Sequence, residues 1–355
     1  MTVRPPRRRA WRVPLAVVAL GGSSAALANA CAYEVPEVVT PLVDSGGTDV
    51  IVGDGGSTDA SDADADADAA TGTCNPIAPF GTPVLIPELA DPNVTYESRE
   101  PRLSADELTV YFAFGPQNGT FVLFTATRPS MTATFGAKAP IAGLTGGSGS
   151  DNNITVSADG LVALLSSNRT QGSVNPNVSQ LWSTSRPNAS AAFATPVWSN
   201  TGFGSQNGDY DPFFIPGAGG LFYSVYADLN TGILKIKRSV YAGNNTYNGA
   251  SGPGFAPPNA AASDRAPVLT PDELRIFYAS NAGLDGGVLP PGNGNIWTSA
   301  RPSSAVGWPP PIAVAELVNF GTYPRPGWVS ANGCRLYLTS NKSGRNLIYV
   351  ATRGK

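Results

Sequence analysis

Short apolar segments alternate with turn residues from residue 75 to the end of the chain, and one pattern recurs five times. The pattern is Pro-x-x-Ser/Thr-x-Asp, then an apolar strand with paired aromatic residues, then an aromatic residue four positions before an arginine, and the copies match it unevenly. The first copy runs from Pro101 through Tyr111 and Phe112 to Phe124 and Arg128. The arginines that end the copies are Arg128, Arg186, Arg238, Arg301 and Arg353.

These arginines are 52 to 63 residues apart, which leaves room for four strands in each copy. Asp-Gly, Asp-Glu or Asn-Gly after the first strand is typical of hairpin turns. The paired aromatic and β-branched residues favour strands that are buried on both faces. We therefore predict an all-β fold, a five-bladed β-propeller. A six-bladed ring is the alternative, although no sixth copy of the motif is present.

One copy departs from the pattern. The third copy has Pro216-Gly-Ala-Gly-Gly220 where the others have the Ser/Thr-x-Asp turn, so the motif does not predict its first hairpin. A segment after the repeat arginine, with Phe or Trp and then Pro before an apolar residue, predicts the fourth strand. It occurs at residues 135–141, 193–197 and 308–312, and in stretched form at 255–257.

The fifth copy has no such segment because the chain stops at Lys355. A matching segment, Phe80-Gly-Thr-Pro-Val84, occurs instead at the start of the domain. We therefore predict that residues 80–89 supply the outer strand of the last blade. This arrangement joins the two ends of the chain in one sheet and leaves no unpaired edge between the first and last blades.

The first 30 residues have the features of a signal peptide. A basic region with five arginines precedes the apolar run Val13–Leu20, which is too short to span a bilayer. Cleavage before Cys31 fits an ordinary signal peptidase, and Leu27-Ala-Asn-Ala-Cys31 also resembles a bacterial lipobox. We expect an exported protein of the bacterial cell envelope, anchored by a lipid on Cys31 in the outer membrane or periplasm. A secreted, unlipidated protein is the alternative.

Residues 31–73 contain ten acidic residues and no lysine or arginine. This composition cannot bury a core, so we expect a disordered tether between the anchor and the propeller of residues 74–355. The alternating acids Asp62 to Asp68 lack the glycine and glutamate of an EF-hand loop. Residues 74–355 carry 18 basic and 16 acidic residues that are scattered along the chain, so no nucleic-acid partner is expected.

The two remaining cysteines are placed to hold the ring closed. Cys74 precedes the closing strand, and Cys334 begins the second strand of the blade which that strand joins. If Cys31 is lipidated, they are left as a pair in an oxidising compartment. We therefore predict a disulfide between Cys74 and Cys334.

The absence of histidine excludes the Ser-His-Asp triad, the Cys-His pair and histidine-based metal sites. Acids nevertheless fall just before the inner strands, where propellers bind ligands in the central funnel, and the fifth copy has Arg325 there. Carboxylates alone suffice for glycoside hydrolysis. The candidates are Glu100, Asp151, Asp211 and Asp264, with Asp209 beside them.

A structural role for the same acids is the competing interpretation. Aspartate before a strand often accepts hydrogen bonds from turn amides, or pairs with an arginine of the neighbouring blade. The five repeat arginines are available for such pairs. Calcium could be ligated by Asn152, Asn153, Asp209 and Asp211, and no other metal or cofactor is implied.

The Pro-x-x-Ser-x-Asp-Gly turn, the aromatic strand and the Leu/Ile-Trp/Tyr sequence resemble the TolB-type β-propeller repeat, a relative of WD-repeat blades, over residues 98–353. The resemblance implies a propeller found in periplasmic envelope proteins, scaffolds and enzyme-appended domains. With the export signal, it implies a non-catalytic, monomeric envelope protein that binds a protein or a glycan. Its membrane contact would be the lipid anchor alone. A five-bladed carbohydrate-active enzyme or glycan-binding protein is the alternative.

Overall fold

The computed structural model describes residues 74–354 apart from 146, 148, 171–177, 200–207, 229, 244–245 and 252–258. The predicted signal peptide, Cys31 and the acidic tether therefore lie outside the described residues, as does the segment 255–257. In the part of the chain that is described, no helix is long and apolar enough to cross a membrane.

Within those residues, twenty strands form five antiparallel sheets of four strands, each the blade of a β-propeller. In chain order, the first described strand is the short β1 (Val84–Leu85). Blade 1 then consists of β2 (Tyr96–Leu103), β3 (Thr109–Pro116), β4 (Val122–Thr127) and β5 (Ala139–Pro140). Blade 2 consists of β6 (Asp151–Val156), β7 (Val162–Ser167), β8 (Gln180–Ser185) and β9 (Val197–Trp198).

Blade 3 consists of β10 (Asp209–Phe214), β11 (Leu221–Ala227), β12 (Leu234–Gly243) and β13 (Thr246–Ser251). Blade 4 consists of β14 (Asp264–Leu269), β15 (Arg275–Ser280), β16 (Asn295–Ala300) and β17 (Ile312–Ala313). Blade 5 consists of β18 (Arg325–Val329), β19 (Arg335–Ser340), β20 (Leu347–Thr352) and β1. Two 3-10 turns, Pro87–Leu89 and Ala315–Leu317, are the described helical segments.

The first strand of each blade is the innermost, and it contacts the inner strands of both neighbouring blades. The contacts run from β2 to β6, β10, β14 and β18, and β18 returns to β2. The second strands bury most of their aromatic residues, and Phe112, Phe277 and Tyr278 are completely buried. This burial on both faces explains why these strands are apolar runs without a polar alternation. The five-bladed prediction is confirmed.

The repeated Ser/Thr-x-Asp motif forms the turn between the first and second strands. In blade 1, Asp106 Oδ1 accepts a hydrogen bond from the N–H of Leu108 at 2.9 Å, and the Ser104 hydroxyl accepts one from Thr109 at 2.9 Å. Blades 2, 4 and 5 repeat this turn at Asp159, Asp272 and Asn332. Blade 3 forms its hairpin without the motif, because three glycines supply the left-handed conformations at φ 77°, 57° and 86°.

Both ends of the described chain meet in blade 5, as predicted. β1 pairs with β20 through Val84–Val350 and Leu85–Tyr349, and Phe80 forms a bridge with Arg353. The pairing is shorter than the predicted segment 80–89, since the chain turns at Pro87–Leu89. Cys74 and Cys334 are joined as a disulfide, with Cα atoms 6.2 Å apart.

Most of the repeat arginines contact the first turn of their blade and its outer-strand segment, and Arg128 also contacts the neighbouring blade. Four of them donate from Nε to a turn carbonyl of their own blade, at 2.6–3.1 Å, and stack on the aromatic residue of the predicted outer-strand segment. These four are Arg128, Arg186, Arg301 and Arg353. Arg128 also reaches the neighbouring blade, where its Nη2 donates to the Tyr337 hydroxyl at 3.0 Å.

The expected pairing of these arginines with acids of a neighbouring blade is seen at Arg238. Its Nε lies 3.3 Å from Glu273 Oε2 in blade 4. Between blades 1 and 5 the acid pairs with an arginine that is not one of the repeat arginines. Glu107 of blade 1 pairs with Arg335 of blade 5 at 2.9 Å and accepts a hydrogen bond from the Tyr337 hydroxyl at 3.1 Å. None of these contacts involves a funnel acid.

Removal of the disulfide tests how far the ring depends on its closure. We expect Cys74→Ser with Cys334→Ser to lower the free energy of unfolding by about 3–5 kcal/mol, because the bridge constrains a long loop of the unfolded chain. Urea unfolding followed by tryptophan fluorescence measures this change. The reduced wild-type protein is the control and should match the double variant. An unchanged urea midpoint, or two free thiols in the non-reduced protein, would contradict the prediction.

Candidate functional site

One position on each inner strand faces the axis of the propeller. It lies five residues before the Ser, Thr or Ile that begins the turn between the first and second strands of its blade. These residues line a central cavity of ≈ 160 Å³, together with Glu100 and Asp211. The five are Arg99, Asn152, Tyr210, Arg265 and Arg325.

A β-bulge follows this position in four blades, and in blade 2 the register shift between Asp151 and Asn153 contains it. The pairing register shifts between Arg99 and Arg102 in β2, and register shifts also occur in the other four inner strands. The residue within the bulge has a left-handed backbone in three blades, with φ of 57° at Glu100, 50° at Asp211 and 50° at Ala266. Such a conformation is costly for a residue other than glycine, and bulges often re-aim side chains at ligand sites.

Glu100 lies in the cavity wall but is bound to its own protein. Its Oε1 lies 2.8 Å from Arg325 Nη1, and its main-chain N–H donates to Thr339 Oγ1 at 2.8 Å. Burial raises the pKa of Glu100, and the charge of Asp211 raises it further, while Arg325 acts in the opposite direction. The ion pair crosses from blade 1 to blade 5 and holds Arg325 at the edge of the cavity.

Asp211 occupies the equivalent position in blade 3. Its Oδ2 accepts a hydrogen bond from the N–H of Ala266 at 3.1 Å, within the bulge of blade 4. A main-chain donor of one blade is thereby satisfied by a carboxylate of the next. This is the structural role that competes with catalysis in the interpretation of the sequence.

Asp151 and Asp264 are one residue earlier in their strands than the cavity position. Successive side chains of a strand point to opposite faces, so neither lines the central cavity. Asp151 instead forms a two-pronged ion pair with Arg169, with distances of 2.9 and 2.6 Å. Asp264 is buried, and burial raises its pKa to about 6. Asp209 begins β10, and its side chain is not among those described.

The structure thus brings Glu100 and Asp211 to one cavity and keeps Asp151 and Asp264 out of it. The cationic residues of the cavity, apart from Arg325, were not predicted from the sequence. Arg99 stacks over Phe121 with its Cζ 3.4 Å from the ring centroid, and Arg265 lies 5.3 Å from the centre of the Tyr210 ring. The shared spacing before the turn is the signal that would have identified them.

A fourth arginine, Arg102, is buried beneath the cavity. Its Nε donates to the carbonyl of Pro212 at 3.3 Å, and its Nη1 donates to the carbonyl of Gly327. Burial lowers its pKa to about 10, against the raising effect of Glu100 and Asp211. One cation therefore connects the bulges of blades 1, 3 and 5.

Two of the candidate calcium ligands, Asn152 and Asp211, have hydrogen-bond partners within the protein. Asn152 Nδ2 donates to Ser179 Oγ at 3.0 Å, and Asp211 binds the Ala266 amide. Among the side chains that the structure describes, no group of three or more cysteine, aspartate and glutamate residues is placed to hold a metal ion. Calcium remains a prediction from the sequence.

No protein-family model matches the chain, and no match is found among curated proteins. Solved structures resemble it in fold. TolB from Acinetobacter baumannii is 13% identical over 73% of this chain and 55% of TolB, with a TM-score of 0.41. The present chain thus spans little more than half of TolB.

Two further structures superpose on most of their own length. The structure of BT0996 in an RGII complex is 10% identical over 78% of this chain and 91% of its own, with a TM-score of 0.52. The second belongs to the GH130 family of mannoside phosphorylases, which contains glycoside hydrolases that target β-1,2 mannosidic linkages in Candida mannan. It is 11% identical over 78% of this chain and 96% of its own, with a TM-score of 0.50. Identities this low show a shared fold alone.

The buried carboxyl of Asp264 makes stability depend on pH. Its pKa of about 6 exceeds the ordinary value of 3.8, so the folded state holds a proton that the unfolded state releases. Stability is therefore full below about pH 4 and falls by about 1–3 kcal/mol as pH rises through 6. We expect Asp264→Asn to match wild type at pH 4 and to exceed it by this amount at pH 8, in urea unfolding.

Asp159→Asn is the matched control and should change in the opposite direction. The pKa of Asp159 is lowered by hydrogen bonds from Ser157 and the Leu161 amide. Its contribution is present above the ordinary pKa and is lost as pH falls, so this variant should be less stable than wild type at pH 7. If the free energy of unfolding changes with pH in the same way for wild type and Asp264→Asn, the raised pKa does not belong to Asp264.

Proposed function

We propose that this protein is a non-catalytic binding protein of the bacterial cell envelope that presents a TolB-like β-propeller to an envelope glycan or protein. One observation carries the proposal: three of the four candidate acids are engaged by the protein itself. Glu100 pairs with Arg325, Asp151 pairs with Arg169, and Asp211 accepts from the Ala266 amide. A retaining or inverting glycosidase needs two carboxylates that face a sugar from opposite sides.

The rigidity of the ring supports the same function. Every blade is tied to its neighbours by inner-strand contacts, and the seam between blades 5 and 1 adds the Glu107–Arg335 pair. The Cys74–Cys334 disulfide joins the two ends of the described chain in blade 5. A scaffold of this kind holds loops and cavity residues in a fixed arrangement, which lowers the entropic cost of binding. The export signal and Cys31 supply the location that we propose, namely a lipid-anchored protein of the outer membrane or periplasm.

A carbohydrate-active enzyme is the second candidate. Glu100 and Asp211 line the same cavity, and burial with the nearby charge of Asp211 raises the pKa of Glu100. A protonated acid beside a second carboxylate is the pairing that glycosidases use. The GH130-family neighbour shares the propeller fold with this chain. The 2.8 Å ion pair between Glu100 and Arg325 weighs against this candidate, because it favours the ionised form of Glu100.

Hydrolysis assays separate the two functions. We expect wild-type protein to release no reducing sugar from arabinan, xylan or β-1,2-mannan above the level of a Glu100→Gln, Asp211→Asn double variant. The physical reason is that neither carboxylate is free to act on a bound sugar. Asp159→Asn is the control for effects of a lost surface carboxylate. Turnover by wild type that disappears in the double variant, but persists in Asp159→Asn, would establish the enzyme and remove the binding proposal.

The proposed anchor is tested by metabolic labelling with a palmitate analogue in a bacterial host. We expect the wild-type chain to carry the label and to fractionate with membranes, because the mature chain would begin at Cys31. Cys31→Ala should lose both properties, while Cys74→Ser should keep them. An unlabelled wild-type chain in the culture medium would show secretion instead.

A further inference from the structure

The central cavity carries more positive than negative charge. Three guanidinium groups line it, from Arg99, Arg265 and Arg325, against the carboxylates of Glu100 and Asp211. Burial and the charge of Arg325 together lower the pKa of Arg99 to about 10, against the raising effects of Glu97 and Glu100. Like charges held together in a partly buried space repel one another, and an anion in the cavity would relieve this repulsion.

Hydrogen-bond donors around the cavity are left without partners. Among the described residues, Arg99 Nε, Arg325 Nε and Arg102 Nη2 are buried and donate to no partner atom, and both carboxylate oxygens of Glu100 are buried and accept no hydrogen bond. The Arg102 side chain is almost entirely buried, with a relative exposure of 1%. Buried polar atoms are rarely left unsatisfied in proteins. Glu100 lies 2.8 Å from Arg325 Nη1 but accepts from none of these three donors, so a further acceptor would be needed to satisfy them. Their common requirement is an anion with more than one oxygen.

A second space adjoins the cavity at Arg265. Arg265 lines both the cavity and an adjoining groove of ≈ 400 Å³, whose other residues include Ser263, Asn281, Asn293 and Tyr323. The cavity of ≈ 160 Å³ is smaller than the ~300 Å³ at which sites for drug-sized ligands begin. The cavity therefore suits one small acidic unit, and the groove suits the chain attached to it.

The groove favours a neutral, hydroxyl-rich chain beyond the acidic unit. Of its described lining residues, Arg265 alone carries a charge, and the rest supply amides, a hydroxyl, glycine, proline, leucine and the tyrosine ring. Amide and hydroxyl groups exchange hydrogen bonds with sugar hydroxyls, and the tyrosine ring offers a flat apolar face. A guanidinium group matches the two coplanar oxygens of a carboxylate.

We propose that the funnel binds a uronic-acid-containing glycan, with the carboxylate of one sugar held by Arg99, Arg265 and Arg325 and the adjoining sugars lying in the groove beside Tyr323. The inference rests on the proposed function, because it requires a glycan that is bound and left intact. Arg265 is the residue that distinguishes this site, since it lines both compartments and has no ion pair among the described residues.

Isothermal titration calorimetry of the mature full chain tests the proposal with two probes, α-1,4-trigalacturonate and β-1,4-trimannuronate. We expect at least one to bind, its methyl ester to bind at least tenfold more weakly, and Arg265→Gln to weaken binding at least tenfold. Lys342→Gln removes a positive charge from an exposed loop and should leave the affinity unchanged. Arg265→Lys keeps the positive charge but loses the two coplanar N–H donors of the guanidinium group, so it should give an intermediate affinity.

Several results would overturn the inference. They are no binding of either trimer, equal binding of acid and ester, an unchanged affinity in Arg265→Gln, or equally tight binding of triglutamate, which would indicate an acidic peptide. The ester comparison uses wild-type protein, so it decides the matter even if Arg265→Gln fails to fold. Cleavage of a bound trimer would remove the proposed function, whereas absence of both binding and cleavage would remove this inference alone.

Discussion

Pairing between the two ends of the described chain is the constraint on which the ring depends. β1 completes the outer edge of β20, Phe80 bridges Arg353, and Cys74 is joined to Cys334 in the same blade. Without this segment, blade 5 would have three strands and an outer edge of unpaired N–H and C=O groups. Because the five inner strands surround one axis, closure at the rim also fixes β18, and with it Arg325 in the cavity wall.

The same turn motif recurs in four of the blades, and variation at its fourth residue provides contacts between blades. The fourth residue of the turn has a left-handed conformation. It is Gly160 in blade 2, Gly333 in blade 5, Glu107 in blade 1 and Glu273 in blade 4. Where that residue is glutamate, its carboxylate reaches an arginine and a tyrosine of the neighbouring blade. The strain of a left-handed glutamate is thereby offset by contacts that span a blade interface.

The fold could be predicted from the sequence because its signals are local. The turn at Asp106 and the motif at Phe80 are each short runs of neighbouring residues, and repetition of the same motifs indicates the number of blades. The site could not be predicted equally well, because a shift of one residue along a strand moves a side chain to the other face. Asp151 and Asp264 were grouped with Glu100 on proximity to the strands, yet the structure places them one residue away from the cavity position.

The proposed binding without cleavage rests on a cavity in which Glu100 holds Arg325 and three arginines line the space. The most direct test is a crystal structure of the full chain soaked with the uronate trimer that it binds. The account predicts an intact trimer, with one carboxylate against the guanidinium groups of Arg265 and Arg325 and with Glu100 still paired to Arg325. A cleaved sugar between Glu100 and Asp211, or a trimer bound away from the funnel, would contradict it.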